Sequence, residues 1–165
     1  MEGNGGNWRK GGEYTMFYGE YHHSLDDKGR IIMPAKYREQ LGGKFYITKD
    51  LWGKEKECCL FVYSQEGFDQ LADKLRRMHN SQEEIRRHNR RFFPSVQDTE
   101  ADKQGRVGIS TELREYAGLT KEVVLAGLDD HIEIWDRESW EAYNNDDADI
   151  YETGRLAESF DDNGI

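Results

Sequence analysis

The chain carries one 17-residue stretch twice. Asp26-Asp27-Lys28-Gly29-Arg30-Ile31-Ile32-Met33-Pro34-Ala35-Lys36-Tyr37-Arg38-Glu39-Gln40-Leu41-Gly42 returns 76 positions later (102 − 26) as Asp102-Lys103-Gln104-Gly105-Arg106-Val107-Gly108-Ile109-Ser110-Thr111-Glu112-Leu113-Arg114-Glu115-Tyr116-Ala117-Gly118. Seven of the seventeen positions agree without a gap: Asp, Gly, Arg, an apolar residue, a second Arg, Glu and a closing Gly. An internal repeat constrains the fold more than any local propensity, because both copies must adopt the same shape and pack together.

Each copy reads as turn, short strand, short helix. Asp26 and Asp102 can bond backbone two residues on, and Gly29 and Gly105 supply a positive φ. Arg30-Ile31-Ile32-Met33 and Arg106-Val107-Gly108-Ile109 alternate with period two, as a strand does. Pro34 in the first copy and Ser110 in the second open a helix, where a missing or capped N–H is tolerated. Gly42 and Gly118 close it.

The flanking stretches follow the same order in both halves. Phe17 to Leu25 reads as a strand, as do Phe45-Tyr46-Ile47-Thr48 and Leu60-Phe61-Val62-Tyr63. Ser64 caps a helix to about Met78, with Phe68, Leu71, Ala72 and Leu75 at helical spacing. Strands at Val123-Val124-Leu125-Ala126 and Ile132-Glu133-Ile134-Trp135 precede a helix capped by Asp136, with Trp140 and Tyr143 in the places of Phe68 and Leu71. The fold class expected is α+β: two pseudo-symmetric β-β-α half-repeats sharing a small β-barrel. Half-repeats at 16–80 and 96–143 flank a basic segment at 81–95, read as a helix running into a short strand at Phe92-Phe93. Residues 1–15 are glycine-rich and read as a disordered extension; 144–165 form an acidic tail. A half of about 75 residues is marginal alone, so the halves should share one core.

Charge bears on partners through its distribution. The net charge of −10 argues against nucleic acid at first sight. Yet residues 129–165 hold thirteen carboxylates against two arginines, a net −11, which leaves +1 for residues 1–128. The local field decides phosphate binding. No apolar run approaches the length of a membrane span and no export signal opens the chain. The adjacent Cys58-Cys59 are too few and too close for a metal site and read as reduced thiols, although a strained vicinal disulfide is open to them. His22 and His23 point to opposite faces of a strand. There is no nucleophile elbow, phosphate loop or metalloprotease motif, so no enzyme, cofactor or metal is expected.

The doubled Asp-x-x-Gly-Arg, with Pro34-Ala35 and Arg38 following the first copy, resembles the MraZ family of bacterial transcription regulators. Tyr18-Gly19-Glu20-Tyr21, Arg90-Arg91-Phe92-Phe93 and Leu113 to Leu119 extend the likeness over roughly 16–140. Ser110-Thr111 in place of Pro-Ala, Gly108 in a strand and an insertion near Trp52 to Cys59 depart from it. The family's half-repeats are similar to the swapped-hairpin module of AbrB and SpoVT regulators, which implies a double-split barrel. The resemblance also implies an oligomeric ring, larger than a dimer, on G-rich direct repeats of double-stranded promoter DNA. Those repeats would lie upstream of a division and cell-wall gene cluster that includes the regulator's own gene, in the cytoplasm at the nucleoid. Arg30 and Arg106 would then read guanine, whose O6 and N7 match the guanidinium fork. Lys28, Lys103 and Gln104 would contact phosphate or base edges. Asp26, Asp102, Gly29 and Gly105 would orient the arginines. The plain alternative is a β-turn in which Asp and Arg only hold each other, within a module that serves assembly alone. Arg38 and Arg114, each followed by Glu, read as intramolecular ion pairs. Arg86, Arg87, Arg90 and Arg91 read as a solvated helix face or subunit contact. Trp52, Trp135, Trp140, Phe68, Phe92 and Phe93 read as core and subunit contacts.

Overall fold

The computed structural model describes residues 16–53, 58–78, 82–146 and 148–165, together with the backbone of two short strands at 9–10 and 13–14. Those strands, β1 (Arg9–Lys10) and β2 (Glu13–Tyr14), pair with each other. The rest of the extension expected over 1–15 lies outside the described residues. The first half then runs β3 (Glu20–Ser24), β4 (Arg30–Ile32), α1 (Ala35–Leu41), β5 (Phe45–Lys49), β6 (Leu60–Ser64), α2 (Gln65–Arg77). After α3 (Glu83–Ser95) the second half repeats the order: β7 (Gln97–Thr99), β8 (Arg106–Gly108), α4 (Thr111–Tyr116), β9 (Glu122–Gly127), β10 (Ile132–Asp136), α5 (Arg137–Asn145). The acidic tail holds α6 (Ala148–Glu152) and α7 (Arg155–Asp162).

Helix ends follow from their capping residues. Ser64 Oγ accepts from Gly67 N at 3.0 Å, and Ser110 Oγ from Leu113 N at 3.3 Å. Pro34 precedes α1 in extended conformation, and Gly42 ends it with φ 78°. Gly118, with φ 63°, closes α4: Leu119 N reaches back to Arg114 O at 3.0 Å and Gly118 N to Glu115 O at 3.1 Å. Asp136 sits at the head of α5, but its side chain does not cap that helix. Its Oδ1 instead accepts from Thr120 N at 3.0 Å and Thr120 Oγ1 at 2.7 Å, which ties β10 to the entry of β9. The strand expected at Phe92-Phe93 is the end of α3. Helical spacing stacks Phe92 on His88 four residues earlier, with ring centroids 5.6 Å apart, and turns Phe93 toward Phe68. The strand of this half begins at Gln97, beyond Pro94.

The two halves exchange strands. The large sheet is antiparallel in the order β3-β9-β10-β6-β5-β7, so β3 pairs with a strand of the second half and β7 with a strand of the first. Replacing every strand by its repeat equivalent gives the same order read backwards. The internal two-fold axis therefore passes between β6 and β10, where Phe61 lies opposite its own equivalent, Glu133. It passes again through the separate β4–β8 ribbon, where Ile31 lies opposite its equivalent, Val107. Register, which one slipped residue would invert, is thus preserved through both halves. Among the described residues this sheet is open, and no hydrogen-bonded closure into a barrel is formed.

Both faces of the sheet are covered. One apolar layer gathers Ile31, Val107, Met33, Ile109, Tyr37, Leu113, Phe45, Ile47, Leu60, Val62, Leu125, Ile132 and Ile134 between the sheet and the ribbon with α1 and α4. Alternate residues of β6 and β10 form the second layer: Phe61, Tyr63 and Trp135, with Leu51, Phe68, Leu71 and Trp140. This is why β6 is apolar without alternation. In the second layer His131 lies 4.2 Å from the Phe61 ring, between Asp130 at 2.6 Å and Glu133 at 3.1 Å. Burial disfavours its charge, but the hydrogen bonds to the two carboxylates outweigh burial, so its pKa is raised.

Two outcomes are expected. A fragment of residues 16–80 should stay unfolded by circular dichroism, because β3 has its sheet partner only in the second half. His131→Gln should cost more stability at about pH 5 than at about pH 8 in denaturant titrations. The raised imidazole contributes fully below its ordinary pKa of about 6.5, and that contribution fades as pH rises through the folded value.

Candidate nucleic-acid interface

The ribbon and its two turns repeat the same set of bonds in both halves. In the first turn Asp26 Oδ1 accepts from Lys28 N at 2.9 Å and Arg30 N at 2.9 Å, and Oδ2 accepts from Arg30 Nε at 2.8 Å. In the second, Asp102 Oδ1 accepts from Gln104 N at 2.9 Å and Arg106 N at 2.8 Å, and Oδ2 from Arg106 Nε at 2.7 Å. The backbone N–H of Arg30 or Arg106, then its side chain, holds each carboxyl below the usual carboxylate range. The aspartate uses only Nε of each arginine, which leaves the terminal nitrogens of Arg30 and, apart from one bond from Nη2 to Gln104, those of Arg106 as donors.

Each turn is completed by the other half. Gly29 O accepts from Ile109 N at 3.0 Å, and Gly105 O accepts from Met33 N at 2.9 Å. Arg114 of α4 lies against Gly29, with its guanidinium carbon 2.7 Å from where a Cβ would stand. Arg38 of α1 fills the corresponding place at Gly105. With φ of 73° and 83° as well, both positions require glycine for two independent reasons. The intramolecular ion pairs expected of Arg38 and Arg114 are not formed among the described residues; each arginine rests on the opposite turn. Arg114 Nε donates to Ile109 O at 3.0 Å and its Nη2 to Thr111 Oγ1 at 3.0 Å, which orients it over the opposite turn. The sequence signal for this was the repeated Arg itself; only tertiary contact shows that it serves the other copy.

Every residue expected at the site falls here. Arg30 and Arg106 begin β4 and β8, with the side chains 29% and 35% exposed. Lys28, Lys103 and Gln104 are exposed on the turns. Repeat alignment makes Lys28 the equivalent of Gln104, and Lys103 that of Asp27. Gln104 Oε1 accepts from Arg106 Nη2 at 3.0 Å, a second hold on that arginine. Arg86, Arg87, Arg90 and Arg91 lie elsewhere, on α3. Cys59 is buried and Cys58 half-buried, and both are thiols. Trp52, Leu128, Trp135, Trp140 and Tyr143 line a groove of about 380 Å3 on the far face of the sheet.

Two half-repeats that exchange strands, each with an aspartate-clamped arginine turn finished by the other half, define a strand-exchanged α+β repeat protein. The chain belongs to the MraZ family: the model of that family matches residues 16–91 and again 92–162. It is 46% identical to the transcriptional regulator MraZ of Moorella thermoacetica over 147 residues, covering 89% of this chain and 98% of that one. Identity to the transcriptional regulator MraZ of Acetivibrio thermocellus is 47% over 132 residues, 80% of this chain and 89% of the relative. That of Finegoldia magna is 43% identical over 147 residues, 89% and 98% respectively. The role of the chain is accordingly regulatory and not enzymatic.

The interlock gives a double-mutant test. Gly105→Ala should cost about 1–3 kcal/mol in urea unfolding, from strained φ plus collision with Arg38. In an Arg38→Ala background the cost should fall toward the ~1 kcal/mol of the backbone alone. Additive costs would mean that Arg38 does not rest on that turn.

Proposed function

We propose that the chain is a sequence-specific DNA-binding transcriptional regulator that sets the β4–β8 ribbon and its two turns into the major groove. A two-stranded β-ribbon has the dimensions for that groove. The single observation that carries the reading is the pair of arginines, Arg30 and Arg106. Each is clamped through Nε on a turn braced by both halves; Arg30 has its terminal nitrogens, and Arg106 the terminal donors that Gln104 does not take, to offer to guanine O6 and N7. Fixing a long side chain before binding lowers its entropic cost on contact. Lys28, Lys103 and Gln104 are assigned to phosphate or base-edge contact, and Asp26, Asp102, Gly29 and Gly105 to orienting the arginines.

The units of this reading are half-repeats at 16–80 and 96–143, the basic segment 81–95, the extension 1–15 and the acidic tail 144–165. The shared sheet and ribbon are taken as a double-split barrel of the AbrB type, supported by the exchanged strands and internal two-fold. The target is double-stranded promoter DNA bearing G-rich direct repeats, in the division and cell-wall cluster that contains the regulator's own gene. The protein acts in the cytoplasm at the nucleoid. It assembles into a homo-oligomeric ring larger than a dimer. Trp52, 69% exposed, and Tyr143, 48% exposed, beside the far groove favour contact between subunits there. A ring multiplies a small reading head by raising the local concentration of the next one.

The test is a gel shift on the DNA upstream of its own gene, repeated across salt. Arg30→Ala or Arg106→Ala should abolish repeat-specific binding while fold and oligomer persist. Each lost arginine–guanine pair costs about 1–3 kcal/mol and recurs in every subunit. Lys28→Ala should weaken binding to all sequences alike and flatten the log–log salt slope by about one. Equal operator affinity in wild type and the double arginine variant would make the turns structural and leave assembly as the function.

A further inference from the structure

The internal two-fold gives meaning to every place where the halves differ. Residues 30, 32, 106 and 108 point away from the core on the ribbon, because their neighbours Ile31 and Val107 are buried. The register sets Arg30 opposite Gly108 and Ile32 opposite Arg106. The two arginines are equivalents, yet one has a glycine across from it and the other an isoleucine. Ile32 is 40% exposed on a surface otherwise made of arginine and turn polar groups, and the core does not use it. The second difference falls on the same arginine: Gln104 Oε1 holds Arg106 Nη2, whereas the equivalent Lys28 has no acceptor to offer Arg30.

Directly opposed Cβ atoms of an antiparallel pair stand about 4.5–5.5 Å apart. Successive base pairs are separated by about 3.4 Å. A side chain across from a guanine-reading arginine therefore meets the adjoining base pair. Isoleucine neither donates nor accepts a hydrogen bond, and the apolar feature on a base edge in the major groove is the C5-methyl of thymine.

We propose that Ile32 is a specificity-determining residue that packs on the C5-methyl group of a thymine adjoining the guanine contacted by Arg106, while Gly108 leaves the matching place beside Arg30 empty, so that the pseudo-symmetric ribbon reads its site in one direction. This rests on the ribbon reading of DNA given above. An exactly two-fold head fits a site equally well in either orientation, as dimeric proteins fit palindromes. Direct repeats run one way, and a head that must take each of them in the same sense needs such a difference. Ile32 and Gly108 supply it without disturbing the shared backbone.

Replacing thymine by deoxyuridine removes the methyl group alone. The full-length protein is titrated against a G-rich direct-repeat duplex in which each thymine is replaced in turn, with a scrambled duplex as reference. One position next to a guanine should weaken wild-type binding about fourfold per repeat, the value of one buried methyl. Ile32→Gly, or Ile32→Ser should the glycine variant fail to fold, should bind thymine and deoxyuridine alike. The exchange variant, Ile32→Gly with Gly108→Ile, should move the preference to the opposite side of the guanine pair. The backbone admits it, since a Cβ at Gly108 meets only Arg30 Cγ, at 3.8 Å. Wild-type indifference to every deoxyuridine overturns the assignment, as does an unchanged penalty in the Ile32 variants, and both leave the ribbon reading intact. Failure of wild type to prefer the G-rich duplex over the scrambled one removes the ribbon reading and this inference together.

Discussion

The contact between each Asp-x-x-Gly-Arg turn and the opposite half holds the rest of the structure in place. Gly29 O and Gly105 O each receive a backbone N–H from the other copy, and Arg114 and Arg38 lie over these same glycines. Two turns that could have stood apart as exposed loops become parts of one ribbon. Neither half can present its arginine without the other. The backbone is held by the aspartate clamp and by the cross-half bonds at a turn that only glycine fits, and the same aspartate holds each guanidinium through Nε.

The same exchange explains the core. The β4–β8 ribbon is only three residues long on each side. A pair of that size is not stable in water without an apolar face to cover. It is held because Ile31 and Val107 enter the layer above the large sheet at the two-fold axis, each 1% exposed or less. On the other side of the sheet the axis meets Phe61 and Glu133, and here the halves diverge. Over Phe61 the outer layer is filled by Phe68 and Phe93 together with the His131 ring of the second half; beside Trp135, Trp140 and Tyr143 it opens into a groove that Trp52 of the first half also lines. The symmetric face and the asymmetric face thus lie on opposite sides of one sheet. The first suits the repeated reading head proposed above, and the second suits contact between non-equivalent surfaces, as the proposed ring would require.

Charge follows a similar division. The excess of carboxylates sits after residue 128, while the turns carry Lys28, Lys103, Arg30 and Arg106. α7 carries Glu158, Asp161 and Asp162 and buries none of its residues.

The sequence by itself determined the repeat, and through it the order of elements. The turn chemistry of Asp26-Gly29-Arg30 and Asp102-Gly105-Arg106 is local, since each hydrogen bond of the clamp spans four residues or fewer. Helix caps at Ser64 and Ser110 were legible for the same reason. Phe92-Phe93 misled because two adjacent aromatics satisfy a strand and a helix end equally, and only packing on His88 and Phe68 decides between them. Asp136 stood correctly at a helix start, but a bond to Thr120 outcompeted the cap. What tertiary structure alone decided is which half each piece serves. Strand pairing of β3 with β9 and of β5 with β7, and the rest of Arg38 and Arg114 on foreign glycines, join residues far apart in sequence. Repetition makes the alternatives locally identical: each turn would fit its own helix or its neighbour's. The choice falls to the register of one shared sheet, in which each half supplies an edge strand to the other.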